Sequence, residues 1–348
     1  MATVPFPPPR TPMEARVQVR IPGSPGDGAW AYEPKWDGFR CLAWAPDEVG
    51  DVRLDSRNQR PLLRYFPELA PAVQALPAGT VVDGEVVVVV DDHLDFDALS
   101  QRIHPAASRI ERLAAETPAS LVAFDLLADR GEDLRSEPFA VRRERLEAVA
   151  AALPAGWHLT PSTRDHDEAT GWFSAFEAAG CDGVVCKRLD EVYREGERAM
   201  VKVKHRRTAD CVIGGYRVHK AGDRVGSLLL GLYNDADELH FIGHCSGFRD
   251  ADRVALLERL RGYEPQDAFG EAARRPGEPS RWTGDKDLAW VPVEPVLVCE
   301  VSYDQLTGER FRHATRFERW RPDKDPLECR LDQLERPVGP GFADVVVT

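Results

Sequence analysis

The 348 residues suffice for one large or two ordinary domains, and 43% hydrophobic with 30% charged residues exclude disorder throughout. Lysine and arginine number 45 against 58 acidic residues, and the formal charge of −13 rules out a uniformly basic nucleic-acid coat while permitting a local basic surface. The opening MATVPFPPPRTP has neither the charged nor the apolar region of a signal peptide, and no apolar run approaches the roughly 20 residues of a membrane helix, so a soluble cytoplasmic protein is expected.

In chain order, the Pro-rich stretch at 5–12 reads as a loop or arm. VVDGEVVVVV (81–90) reads as a buried strand, and SLVAFDLL (120–127) as another. A helix follows Ser136-Glu-Pro, with Leu146, Val149, Ala150 and Leu153 at core spacing and Arg142, Arg143 and Arg145 on its polar side. A second helix carries Trp172, Phe176 and Ala179 and stops at Gly180. AMVKVK (199–204) is a third strand. After about residue 208, CVIGGYRV, GSLLLGLY, ELHFIGHC and VLVCEVSY are short strands with one helix near 250–261, the habit of a small β-barrel. A Pro- and Gly-rich stretch at about 262–286 reads as loop. HRRTAD (205–210) marks the boundary, so an α+β domain over 1–206 with antiparallel sheets precedes a β-barrel domain over 207–348.

The seven cysteines form no CxxC pair, which argues against a disulfide framework and a thiolate zinc site and makes most of them small core residues. The nine histidines contain no HExxH. Chemistry begins instead at Glu33-Pro-Lys35-Trp-Asp37-Gly38-Phe39-Arg40. Neutral lysine is a good nucleophile toward phosphorus or carbonyl carbon, once nearby cations or desolvation lower its pKa. Alone, a KxDG competes with a plain surface lysine before a turn.

The order of the motifs downstream of it decides. Ser56-Arg57-Asn58 comes next, then Asp83-Gly84-Glu85 inside the valine strand, where an unpaired carboxylate costs several kcal/mol. Phe124-Asp125, Cys181-Asp182-Gly183-Val-Val-Cys-Lys187 and Val201-Lys202-Val-Lys204 complete the series. This series resembles the ordered motifs of the covalent nucleotidyltransferase superfamily, which includes ATP-dependent DNA ligases, RNA ligases and mRNA capping enzymes. Within it, FRHATRFERWRPDKDP (311–326) and the barrel segments are similar to the small bacterial ATP-dependent DNA ligases of the LigC and LigD type.

The resemblance implies an adenylation (nucleotidyltransferase) domain followed by an OB-fold domain. It implies that Lys35 accepts AMP and that Glu33 reads the adenine amino group. Arg40 and Glu85 then contact the ribose, Arg57 meets the AMP phosphate or the 5′-phosphate of the nick, and Phe124 stacks on adenine. Asp182 stands where many relatives carry Glu, and with Glu85 it is the candidate for a divalent metal. Lys202 and Lys204 alternate with valines, so both point to one face, where a phosphate between them would relieve their repulsion and both would lower the pKa of Lys35. Lys187 lies on an adjacent motif with a less defined role, and Met200 replaces the family's tryptophan, a change expected to affect packing only. Arg321 and Lys324 are candidates to grip the β- and γ-phosphates of ATP, and Arg316 is a weaker one that could equally contact DNA.

The activity implied is sealing of nicks in double-stranded DNA by a monomer, using ATP and Mg²⁺ or Mn²⁺, through lysyl-AMP and a DNA-adenylate, in DNA repair. An RNA ligase or capping-type enzyme shares the lysine chemistry. A catalytically dead OB module that only binds nucleic acid is the non-enzyme alternative. Basic residues cluster at Lys202, Lys204, Arg206 and Arg207, and again at Arg310, Arg312, Arg316, Arg319, Arg321 and Lys324, enough for a positive cleft on an acidic body.

Overall fold

The strand Val81–Val90 is β-branched along most of its length, and in the structure it lies at the centre of a sheet covered on both faces. The structure, a computed structural model, describes residues 2–45, 52–263, 266–270, 275–277, 288–334 and 338–347. The chain divides into two compact units, Met1–His205 with Arg336–Thr348, and Arg206–Glu335.

In the first unit the main sheet runs in the order Arg53–Ser56, Phe39–Trp44, Val81–Val90, Ala119–Asp129, Glu132–Asp133. Most neighbours are antiparallel, and Trp157–Leu159 runs parallel to Ala119–Asp129. Period-two alternation splits the central strand cleanly. Val82, Val86 and Val88 face a core shared with Phe66, Leu99 and the helix residues Leu146 and Val149. Residues of the opposite parity face a second, four-stranded sheet in the order Ala15–Gln18, Met200–Lys204, Gly183–Arg188, Trp30–Pro34.

The strands read at 81–90, 120–127 and 199–204 are observed as Val81–Val90, Ala119–Asp129 and Met200–Lys204. The helix after Ser136 spans Phe139–Ala150 with Leu146 and Val149 buried, but its arginines depart from the expected polar face. Arg142 is fully buried and Arg143 nearly so, because each answers a buried carboxylate: Arg142 grips Asp125 at 2.7 and 3.0 Å, and Arg143 reaches Glu33 at 3.4 Å. Only Arg145 keeps the expected, half-exposed place, on Asp129 and Glu132. The second helix, His166–Ala175, ends five residues before Gly180. Trp172 and Phe176 are half-buried and stack on each other at 5.4 Å, while Ala169 holds the fully buried place on that helix.

The stretch at 5–12 lacks regular structure as expected, yet Phe6 is 4% exposed and packs edge-on against Trp44 at 5.7 Å, so this segment is seated in the core. The expected second-domain range 207–348 also needs correction: the segment after Glu335 belongs to the first unit, where Phe342, Val345 and Val346 are buried. Apolar burial on the first unit holds that segment there.

In the second unit, strands Arg207–Val218, Val225–Tyr233, Leu239–Cys245, Val298–Tyr303 and Arg316–Trp320 form an antiparallel sheet, joined by the short Val291–Pro292. A bridge between Cys245 and Thr315 brings its two edges together and closes a barrel around Val212, Leu228, Leu230, Ile242 and Val301. The helix Asp250–Leu260 sits between the third and fourth of these strands in the chain. Five short strands and one helix in this order are the OB-type barrel. Most of the Pro- and Gly-rich stretch at 262–286 lies outside the described residues. All seven cysteines are free and buried, as the missing CxxC pattern implies.

The Arg142–Asp125 pair supplies the first prediction. Arg142→Ala leaves Asp125 buried and uncompensated, and urea unfolding should show a loss of about 3–5 kcal/mol. Arg145→Ala removes a half-exposed arginine from an Asp129 that Arg130 still holds at 3.0 Å, and should cost under about 1 kcal/mol. Equal losses would contradict the buried-pair account.

Candidate active site

The second sheet brings the lysines together by register. Val185 pairs with Glu33 on one side and Lys202 on the other, and Gly183 pairs with Lys204. Just beyond the strand, Lys35 donates its backbone N–H to the Gly183 carbonyl at 2.9 Å, and Asp182 donates its own to the Lys35 carbonyl at 3.0 Å. Glu33, Lys35, Val185, Lys187, Lys202 and Lys204 therefore share one face. Gly183 is required here: its φ is +147°, and a Cβ would overlap the Val203 carbonyl oxygen.

The ammonium groups of Lys35 and Lys204 meet through one carboxylate. Asp182 lies 2.7 Å from Lys35 Nζ and 3.2 Å from Lys204 Nζ, and is 7% exposed. Burial pushes the Lys35 pKa down, but the Asp182 carboxylate outweighs it, helped by Glu85 and Asp37, and the net shift is upward. The net shift of Lys35 is thus opposite to the expected lowering, because Asp182 is bonded to it. Lys202 is the amine pushed down, by burial first and then by Lys35 and Lys204.

Facing this sheet, Arg40 stands directly opposite Glu85 in the register of Phe39–Trp44 with Val81–Val90. Arg40 forks onto Asp83 at 2.5 and 2.6 Å, and Tyr193 donates its hydroxyl to the same carboxylate at 2.6 Å. Arg40 keeps one-fifth of its side chain exposed and lies 4.4 Å over the Phe124 ring. Phe124 falls where the register slips: Asp83 pairs with Asp125 and Gly84 with Ala123, leaving Phe124 as the extra residue of a bulge. Burial raises the Glu85 carboxyl to about 8, against the pull of Arg40 and Lys35.

A cleft between the two sheets is lined by Glu33, Lys35, Arg40, Arg57, Glu85, Phe124 and Lys202, seven of the residues singled out in the sequence. Asp182 and Lys204 join it through Lys35. Arg57 is exposed at its mouth. Glu33 is 2% exposed and already holds Lys187 at 2.8 Å and Arg143 at 3.4 Å, so it is tied more tightly than a free adenine reader. Met200 is buried in the cluster with Met13, Tyr193 and Trp44, and also lines the cleft.

Sequence reasoning gave Asp83 no role, misplaced Arg143, and missed Tyr193 and the seating of Lys187, which also donates to the Phe124 carbonyl at 2.7 Å. It missed the Pro12–Ala15 segment of the cleft wall as well. Asp83 was legible as a carboxylate inside a buried strand. Tyr193 and Met13 carry no local signal. Among the described residues no group of three or more His, Cys, Asp or Glu forms a ready metal cage. Glu85 and Asp182 are the carboxylates that could hold a divalent ion, and two oxygen donors fit Mg²⁺ or Mn²⁺ when substrate phosphates supply further ligands.

The remaining candidates lie in the second unit. Arg321 forks onto Asp210 at 2.7 and 2.8 Å and also holds Asp323 at 2.9 Å. Lys324 pairs with Glu328 at 3.1 Å, and Arg316 is exposed. Arg319 pairs with Glu300 at 2.5 Å and Arg206 pairs with Glu318, so acids temper the basic clusters.

Residues 22–204 match the profile of the ATP dependent DNA ligase domain, and residues 221–324 that of the ATP dependent DNA ligase C terminal region. DNA ligase C1 of Mycolicibacterium smegmatis is 48% identical over 99% of both chains. DNA ligase C of Mycobacterium tuberculosis is 46% identical over 99% of this chain and 98% of its own. A solved Lig E DNA ligase shares the fold, with a TM-score of 0.53 and 16% identity over 84% of this chain and 93% of that one. By profile matches across most of its length and near-half identity end to end, the chain belongs to the ATP-dependent DNA ligases.

Proposed function

We propose that the cleft around Lys35 is the adenylation site of a nick-sealing ligase that works in DNA repair, with the barrel as its OB-fold domain. The observation that carries this reading is one carboxylate, Asp182, held between Lys35 and Lys204 in a cleft that also presents Arg40, Arg57, Glu85 and Lys202. Lys35 Nζ attacks the α-phosphorus of ATP, an N–P bond forms, the bond to the bridging oxygen breaks, and pyrophosphate leaves. Asp182, 2.7 Å from Nζ, holds the amine in the cleft. Lys202 and Lys204 meet the α-phosphate, and Phe124 with Arg40 holds the adenosine. A divalent ion held by Glu85 and Asp182 would offset charge on the phosphates when bound. The 5′-phosphate of a nick then takes AMP from Lys35, and the 3′-hydroxyl displaces AMP to close the strand.

ATP labelled at the α-phosphate tests the nucleophile. Lys35→Ala should lose transfer of label to protein while keeping the melting temperature, and equal labelling would remove Lys35 from the mechanism. Offering nicked DNA and nicked RNA duplexes to the labelled protein tests the substrate, with sealing expected for DNA.

The sign of the Lys35 shift gives a pH prediction. Since Asp182 raises that pKa, Asp182→Asn should lower it, and the rising limb of the adenylylation rate against pH should move to lower pH even as the plateau falls. An unmoved limb would mean the carboxylate does not set the charge of Lys35.

Arg321 and Lys324 are assigned to the β- and γ-phosphates during the first step alone. Leaving Asp210, Asp323 and Glu328 for that task exchanges carboxylate partners for phosphate ones. Arg321→Ala with Lys324→Ala should lose labelling by ATP yet seal a nick supplied already adenylated. Normal labelling with weak, salt-sensitive sealing would make them DNA contacts instead.

A further inference from the structure

Beyond the barrel in sequence, the segment 338–347 packs onto the first unit, and nothing in the reaction described above uses it. Its Phe342 is 5% exposed. The ring meets Trp36 edge-on at 5.7 Å and His158 at 5.1 Å. Trp36 is the residue after Lys35, is 4% exposed, and donates its indole N–H to Thr160 Oγ1 at 2.9 Å. Phe342, Val345 and Val346 share one cluster with Trp36, Phe124 and Cys181, which neighbours Asp182.

The backbone of the segment is fastened at its middle and at Val347. Phe342 and Ala343 donate to the Asp92 carbonyl at 2.6 Å and to its side chain at 2.9 Å. Val347 and Leu159 exchange two backbone bonds at 3.0 Å. Asp91 and Asp92 both have positive φ, 49° and 62°, so the segment grips a tight turn whose geometry few residues adopt.

We propose that residues 338–347 are a strap that positions the nucleophile: Phe342, pressing on Trp36, fixes the backbone from which Lys35 reaches the α-phosphate. The proposal rests on the reading of Lys35 as the AMP acceptor. Nucleophilic attack requires reacting atoms within about 3–3.5 Å and aligned, and a misplacement of about 1 Å costs on the order of 10²-fold. A tryptophan clamped between Thr160 and Phe342 confines the adjoining lysine. Phe342 touches no substrate in this scheme and is a positioning residue.

The test uses the full chain with Phe342→Ala, Phe342→Leu and Phe342→Tyr, and Lys35→Ala as control. Each preparation is assayed for labelling by ATP, for sealing of a nick already adenylated, and for melting temperature. At saturating ATP, Phe342→Ala should slow labelling by roughly tenfold or more with the KM for ATP within about twofold, sealing of the adenylated nick should stay within about twofold, and Phe342→Tyr should restore labelling. If Phe342→Ala does not fold, the ratio of the two activities in Phe342→Leu carries the same comparison. Normal labelling by folded Phe342→Ala or Phe342→Leu, or equal loss of both activities, overturns the strap. Labelling that persists in Lys35→Ala overturns the reading of the cleft itself, whereas its loss there beside normal Phe342 variants overturns the strap alone.

Discussion

A carboxylate shared by two ammonium groups is the constraint on which this cleft depends. Asp182 lies within 3.2 Å of both Lys35 and Lys204 while buried, and without it the two amines would stand near each other with no shared counter-ion. Charges taken out of water persist only when paired and hydrogen-bonded. The same rule holds along and behind the walls of the cleft, where Arg143 and Lys187 answer Glu33, Arg142 answers Asp125, and Arg40 with Tyr193 answers Asp83. Arg142 and Arg143 tie one helix, Phe139–Ala150, to both sheets, and Tyr193 ties its loop to Asp83, so the polar network around the cleft also holds the fold together.

A lysine held charged by Asp182 is a poor nucleophile, and it becomes a good one only when its proton has somewhere to go. Phosphates entering beside Lys202 and Lys204 would compete for the cations that now hold Asp182. The protein's contribution is positioning and electrostatics, which suits phosphoryl transfer, where little covalent chemistry is left for side chains to do.

Much of this was legible in the chain. The valine strand, the alternation of Lys202 and Lys204 and the buried carboxylate at 83–85 follow from periodicity and from the cost of unpaired charge, and the order of motifs carried the resemblance to the ligase family. The helix arginines were misread for a physical reason. Arg142 and Arg143 look like a polar face until their partners, Asp125 and Glu33, are known to be buried on other strands. The pKa of Lys35 was misread likewise, because the motif shows the neighbouring lysines but not that Asp182 reaches both of them. The bulge that turns Phe124 out of register and the return of Phe342 to Trp36 are long-range events, with no local signal at either end.

The most direct test of the account is to find which amine carries AMP. The wild-type protein, incubated with ATP and Mg²⁺ without DNA, can be digested under conditions that preserve phosphoramidates and its adducts located by tandem mass spectrometry. Four lysines on the shared face compete for the label: Lys35, Lys187, Lys202 and Lys204. The account predicts AMP on Lys35 alone. An adduct on Lys202, the amine whose pKa the surroundings depress, would contradict it.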